Sequence, residues 1–392
     1  MAAYPEGVIQ NRYFYPGPVD IDLTTHLSAL TGPSHHRSPD FITLFQETRL
    51  LLQEVFGSEQ APLILTSSGT GAMESLMRSV TSSNDSIVVI DAGKFGQRWA
   101  IIGEKLKRAT HLIKVPWGEV PEECFLEGRI PSKTRAVFFQ ATETSTGLRL
   151  PLEHMIASIK LQAPDALICV DAVSAAIAEP LHMACWGVDG MISGSQKGFG
   201  APAGLSFLAL SPRAWSVAEK QKSDSFYFDM VQERKAQEQG SGNWTTATTL
   251  VCQLHTALSA MKNIGFQNIH QHHEEMMEIT RSVLCELDLQ LTISSQSHAA
   301  RSVTSFQIPK NSQLQKRCQY WGVHLASGQG TLKGSILRLA HLGLTDPWKI
   351  LTALQVIELS LYQENLISTL GKANKVGMQT ILKHNAARFE DQ

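Results

Sequence analysis

The chain has no apolar run long enough to cross a bilayer, which excludes a membrane-spanning helix. Its first residues, MAAYPEGVIQNRYFYPGP, lack a basic stretch followed by an apolar one, so no secretory signal is expected. Cysteine is sparse and scattered (Cys124, Cys169, Cys185, Cys252, Cys285, Cys318), and no CxxC pair occurs. That removes the common zinc and dithiol motifs. Several of these cysteines lie in apolar runs, as small core residues do. A cytoplasmic, reducing location is expected. An excess of one charge is also missing: the formal net charge is −2. This excludes the basic footprint of a nucleic-acid binder. No internal repeat and no low-complexity segment is present. No GxSxG elbow appears, which argues against a serine hydrolase. His35 and His36 are adjacent, and His270, His272 and His273 are expected on a solvated helix. Neither group has metal-ligand spacing, so no metal is expected.

What is present is enough apolar sequence, in 392 residues, for a large core and about two domains. Short apolar runs mark strands at Leu63–Thr66, Ile87–Ile90, Ala136–Phe139, Leu167–Val170, the GMIS stretch from Gly190, and the LSFLAL stretch from Leu205. Helical patterns separate them: FITLFQETRLLLQEVFG from Phe41, GQRWAIIGEKLKRA from Gly96, and LEHMIASIKLQA from Leu152. Strands alternating with helices predict an α/β fold with a mostly parallel sheet covered on both faces. Strands without polar alternation suit burial on both sides. Residues 1–20 read as an extended arm and 21–262 as a large domain. Residues 216–248 read as a long, polar, irregular connector, followed by a helix from Thr249. Residues 263–370 read as a smaller α+β domain, and 371–392 as a polar, weakly helical tail.

Several strands end in small polar residues, and open α/β sheets bind ligands outside their carboxyl ends. Lys197 follows Ser193, Gly194, Ser195 and Gln196 and precedes a Gly/Ala/Pro loop. A lysine so held forms a Schiff base with an aldehyde if a pocket depresses its pKa; otherwise it is a solvated charge. Ser68, Gly69 and Thr70 open a helix, which suits a single phosphate or a plain cap. Asp171 ends an apolar strand. It would pair with a protonated ring nitrogen, or cap a helix. Phe95 would stack on a planar group or simply pack. Arg338, among apolar neighbours in GSILRLAHLG, needs a carboxylate or phosphate partner, from substrate or from the protein.

Read in order, SGTGAME, GKFGQRW, ETSTG, VDAVSA, SGSQKG and LKGSILRLAHLG resemble the class V aminotransferases of pyridoxal phosphate fold type I, over roughly Tyr15 to Leu361. Within them the chain is similar to the alanine/serine–glyoxylate aminotransferase branch, which includes soluble hydrogenase small-subunit-like proteins. The resemblance implies a seven-stranded large domain, a homodimer with shared sites, and pyridoxal 5′-phosphate as cofactor. It implies transamination between an alanine- or serine-like amino acid and a glyoxylate- or pyruvate-like 2-oxo acid. Another reaction of this cofactor (a lyase or a C–C bond-forming step), a ureidoglycine–glyoxylate aminotransferase, and a cofactor-free partner subunit are the alternatives. By resemblance, Lys197 carries the cofactor and moves the proton, and Asp171 holds the pyridinium nitrogen. Thr144 lies beside the ring hydroxyl, and Phe95 and Val173 cover the two ring faces. Ser68, Gly69, Thr70 and Gln196 bind the phosphate, helped by Thr245 of the neighbouring subunit. Arg338 and the backbone near Gly17 take the substrate carboxylate. The chain departs from the family at Asn243-Trp244-Thr245-Thr246-Ala247, where a proline-rich loop is usual. It departs again at Ser174-Ala175-Ala176-Ile177, where Ser-Leu-Gly-Gly is frequent.

Overall fold

Successive side chains of a strand point to opposite faces, so runs such as AVFF and LICV require cover on both sides. The computed structural model describes residues 10–390 apart from Ser34, Lys222 and Leu344, and has that cover. Seven strands lie in the order Leu63–Leu65, Ser206–Leu210, Gly190–Gly194, Leu167–Asp171, Ala136–Gln140, Ser86–Asp91 and Ala109–Lys114. All pairings are parallel except the two made by Ser206–Leu210. Val137, Phe139, Ile168 and Val170 enter the core on one face. Ala136, Phe138, Leu167 and Cys169 enter the core on the other. The expected α/β class and seven-stranded, mostly parallel sheet are therefore what the chain forms.

A second sheet has the order Arg12–Phe14, Val323–Ser327, Ile336–Ala340, Val303–Gln307. Its core is closed by helices Phe266–Glu286 and Pro347–Gln363. Part of the expected arm is thus a strand, paired in parallel with Val323–Leu325 and anchored by buried Phe14. The arm's residues 1–9 lie outside the described residues, as do Asp391 and Gln392 of the tail. The rest of the tail is a helix, Lys372–Glu390, with Ala373 and Ile381 in the small core. His273 is buried rather than solvated, because it shares an inward helix face with Ile269, Met276 and Thr280. A ring N–H of His273 donates to Ile269 O at 2.9 Å.

The 216–248 stretch is not irregular. It contains the end of one helix, Pro212–Lys220, and the whole of another, Met230–Glu238. Ser211 and Asp229 cap them through their side-chain oxygens. The second helix escapes a periodicity reading because, beyond Met230, its buried face consists of the polar Glu233 and Gln237, which bond instead of packing. Gln237 is fully buried, and its amide accepts from Ile64 N–H at 3.0 Å and donates to Ile64 O at 2.7 Å. It serves Leu63–Leu65, an outermost strand, as a neighbouring strand would.

Sheet direction then places the site. Asp171, Thr144, Lys197 and Ser68 all follow strands that run the same way, so they gather at one edge. One consequence concerns the sheet itself. Gln237→Leu strands two buried backbone groups of Ile64 and should cost about 2–5 kcal/mol. Urea unfolding of the cofactor-free protein reads this as a lowered midpoint. An unchanged midpoint contradicts the role given to Gln237.

Candidate active site

Lys197 lies three residues beyond Gly190–Gly194, under the arm. Val19 N–H donates to Gln196 O at 3.2 Å, and Lys197 Nζ donates to Pro16 O. Gly17 crosses the lysine with φ +98°, and a Cβ there would stand 2.6 Å from Lys197 Cδ. Only glycine satisfies both conditions. Burial holds the Lys197 amine down at about 8. Asp171 pulls the other way, while Arg338 and Arg98 deepen the depression. An appreciable fraction of this amine is neutral near physiological pH, the form that attacks an aldehyde.

Asp171 is buried at the end of its strand. Its Oδ1 accepts from Val173 N–H at 2.8 Å. Burial pushes the carboxyl up to about 6, against that hydrogen bond and the charges of Arg98 and Lys197. It forms no ion pair among the described residues. Arg338 is equally buried, at 5 % exposure, and among the described residues its guanidinium bonds only carbonyls. Nη1 donates to Thr144 O at 3.1 Å; Nε and Nη2 donate to Ser327 O at 3.1 and 2.8 Å. Burial lowers its pKa, and nearby Glu143 opposes that. A buried guanidinium without a carboxylate in contact leaves room for an anion that the chain does not supply.

The surrounding residues fix a cradle. Ser68 Oγ accepts from Gly71 N–H at 3.4 Å and caps helix Gly69–Val80. The Ser68 side is exposed, so the first turn faces open space. Gly69 packs on Val173: a Cβ would come 3.0 Å from Val173 Cγ2. Thr144 Oγ1 and Ser174 Oγ share a hydrogen bond of 2.6 Å beside Asp171. Gln196 is half-buried next to the lysine. Thr245 is exposed, while its neighbour Thr246 is the buried residue that bonds the loop, accepting from Gly242 N–H at 3.0 Å. Trp244 stacks on Tyr227, whose hydroxyl donates to Thr66 O at 3.1 Å, close to the Ser68 turn. Ile177 has φ +71°, where a β-branched residue is strained by about 1–3 kcal/mol. Glycine, frequent in the related run, would carry no such strain.

Two residues escaped the sequence reading. Glu143 is fully buried and opens helix Lys94–Lys105, accepting from Phe95 N–H at 3.1 Å and Gly96 N–H at 3.2 Å. Its other oxygen takes the N–H and hydroxyl of Ser145 at 3.1 and 2.6 Å. Burial still pushes this carboxyl up to about 7. It sets where Phe95 stands. Arg98, one turn beyond Phe95, donates to Thr70 Oγ1 at 2.9 Å. Both lay inside quoted motifs, ETSTG and GKFGQRW, but their partners are distant in sequence.

Amine, carboxylate, guanidinium and an open helix start form a donor set suited to an aromatic aldehyde carrying a phosphate, together with a carboxylic acid. Comparison with known proteins agrees. The aminotransferase class V family profile matches residues 22–365. The chain is 33 % identical over 354 residues to the soluble hydrogenase small subunit of Synechococcus sp. (strain PCC 6716), covering 88 % of this chain and 91 % of that one. It is 27 % identical to the serine–glyoxylate aminotransferase of Hyphomicrobium methylovorum, covering 95 % and 94 %. A subgroup IV aspartate aminotransferase from Thermus thermophilus superposes with a TM-score of 0.84 at 28 % identity, covering 90 % of this chain and 99 % of that one. The chain belongs to the class V aminotransferases, enzymes that use pyridoxal 5′-phosphate.

Proposed function

We propose that this chain moves an amino group between a small amino acid, alanine- or serine-like, and a small 2-oxo acid of the glyoxylate or pyruvate kind. The observation that carries the reading is the Lys197 amine, covered by the arm at Pro16 and held down at about 8 by burial, with Arg338 and Arg98 adding to the depression and Asp171 opposing it. The relative named for serine and glyoxylate supports the substrate class. Pyridoxal 5′-phosphate supplies an aldehyde for the lysine and a ring that accepts the electrons left when a proton leaves the substrate Cα.

The chain's residues do the rest. Lys197 would hold the aldehyde through its amine and, once freed by the substrate amine, would take the Cα proton and hand it on. Asp171 would hold the protonated ring nitrogen, with a carboxylate that has no ion pair among the described residues. Phe95 and Val173 would flank the ring, with the Thr144 hydroxyl available to its hydroxyl. Ser68, Gly69, Thr70 and Gln196 take the phosphate at the helix start. Arg338 and the backbone at Gly17 hold the substrate carboxylate, so that the Cα–H bond points at Lys197.

A homodimer is the proposed working unit. Leu23, Leu27 and Leu30 lie along one face of helix Leu23–Thr31 and are 69, 50 and 82 % exposed, a stripe suited to a second copy. Exposed Thr245 would then reach the phosphate of the neighbouring site. All six cysteines are unpaired, which supports a reducing cytoplasm.

Four outcomes test this reading. The rate at which cofactor-free protein takes up pyridoxal 5′-phosphate should rise with pH through about 8, because the protonated Lys197 amine is inert below that value. A rate flat from pH 6 to 10 contradicts a depressed lysine. In a panel of amino donors and oxo-acid acceptors followed by cofactor absorbance, alanine or serine with glyoxylate or pyruvate should turn over. Lys197→Ala should bind cofactor yet lose at least about 100-fold in turnover; normal turnover would reject the assignment. Arg338→Gln should lower kcat/KM roughly 30- to 1000-fold, about 2–4 kcal/mol, with cofactor affinity unchanged. Equal kcat/KM would move the carboxylate site elsewhere.

A further inference from the structure

We propose that Arg98 is a positioning residue of this site: a cation that ties the phosphate-side turn at Thr70 to the helix carrying Phe95 and lends its charge to the neighbouring Asp171 and Lys197. The proposal rests on the reading of Lys197 and Asp171 given above.

Position comes first. Arg98 is three residues beyond Phe95 on helix Lys94–Lys105, so both side chains share a face. Its guanidinium carbon stands 4.9 Å from the Phe95 ring centroid. Nη1 donates to Thr70 Oγ1 at 2.9 Å, in the first turn of helix Gly69–Val80. Among the described residues Arg98 makes no ion pair with any carboxylate. One half-buried guanidinium therefore joins two helix starts that flank the proposed ring, with its charge left unneutralised.

Charge follows from position. The charged groups that act on Asp171 are Arg98 and Lys197. Those that act on Lys197 are Asp171, Arg338 and Arg98. Lys197 cannot be a lasting countercharge for Asp171, because its amine has to be neutral to react. Arg338 is neutralised whenever a substrate carboxylate binds it. A fixed cation at this place opposes the effect of burial on Asp171 and reinforces it on Lys197. One charge thereby favours the anion at one residue and the free base at the other, and the reaction needs both. A purely mechanical brace between Thr70 and Phe95 would have no such effect on Lys197.

Two substitutions separate charge from bracing. Arg98→Gln keeps a donor for Thr70 and removes the charge; Arg98→Lys keeps the charge and loses the planar fork. The measurement is the pH profile of aldehyde uptake by the cofactor-free full chain. It is run with pyridoxal 5′-phosphate and separately with pyridoxal, which lacks the phosphate. In Arg98→Gln the midpoint should move up by about 0.5–1 pH unit with both aldehydes, and affinity should fall about tenfold. Arg98→Lys should keep the wild-type midpoint. Arg98→Met replaces the glutamine variant if that one does not fold. A wild-type midpoint in the neutral variant overturns the proposal, even if its unfolding midpoint falls. A loss seen only with the phosphorylated aldehyde also overturns it, since that would make Arg98 a phosphate ligand. If the wild type takes up neither aldehyde, the reading of Lys197 fails first and this proposal with it.

Discussion

The structure depends on holding one amine under cover at the edge of the sheet. Lys197 is covered by the arm, flanked by a buried carboxylate and faced by a buried guanidinium. Each of these groups would be costly alone in an apolar interior. Together they form an arrangement with open valences: among the described residues, a carboxylate in no ion pair and a guanidinium bonded only to carbonyls, beside an amine whose pKa is depressed. The sheet supplies the framework, since strands running one way deliver these side chains to the same edge.

The second sheet bears on this site through two links. Arg338 comes from its strand Ile336–Ala340, and the guanidinium bonds both Ser327 of the same sheet and Thr144 of the large-sheet edge. The arm pairs with Val323–Leu325 through Arg12–Phe14 and then runs over Lys197 at Pro16 and Gly17. A shift of the small sheet therefore moves both the Arg338 guanidinium and the cover of the lysine.

Much of the fold was legible because its strands are short, wholly apolar and separated by helical patterns. AVFF and LICV have one reasonable place, the middle of a sheet covered on both faces. The polar helix Met230–Glu238 was not legible, since Gln237 acts through hydrogen bonds to Ile64, far away in sequence. The site was half legible. Lys197, Asp171 and Arg338 could be singled out by an odd charge beside apolar strands, yet each locally admitted a plain structural role. Their order along the chain carried the resemblance to the class V aminotransferases. Glu143 and Arg98 stayed hidden because their meaning lies in the partners they meet: the N–H groups of Phe95 and Gly96, and the hydroxyl of Thr70. Thr245 is the opposite case, a residue named by resemblance that the single chain leaves exposed.

Of the chain's lysines, Lys197 is the one proposed to bond the cofactor aldehyde. Borohydride reduction of the cofactor-loaded protein, followed by peptide mass spectrometry, tests this directly. The account predicts a single stable adduct on the peptide containing Lys197. An adduct on another lysine, or none after saturation with pyridoxal 5′-phosphate, would contradict it.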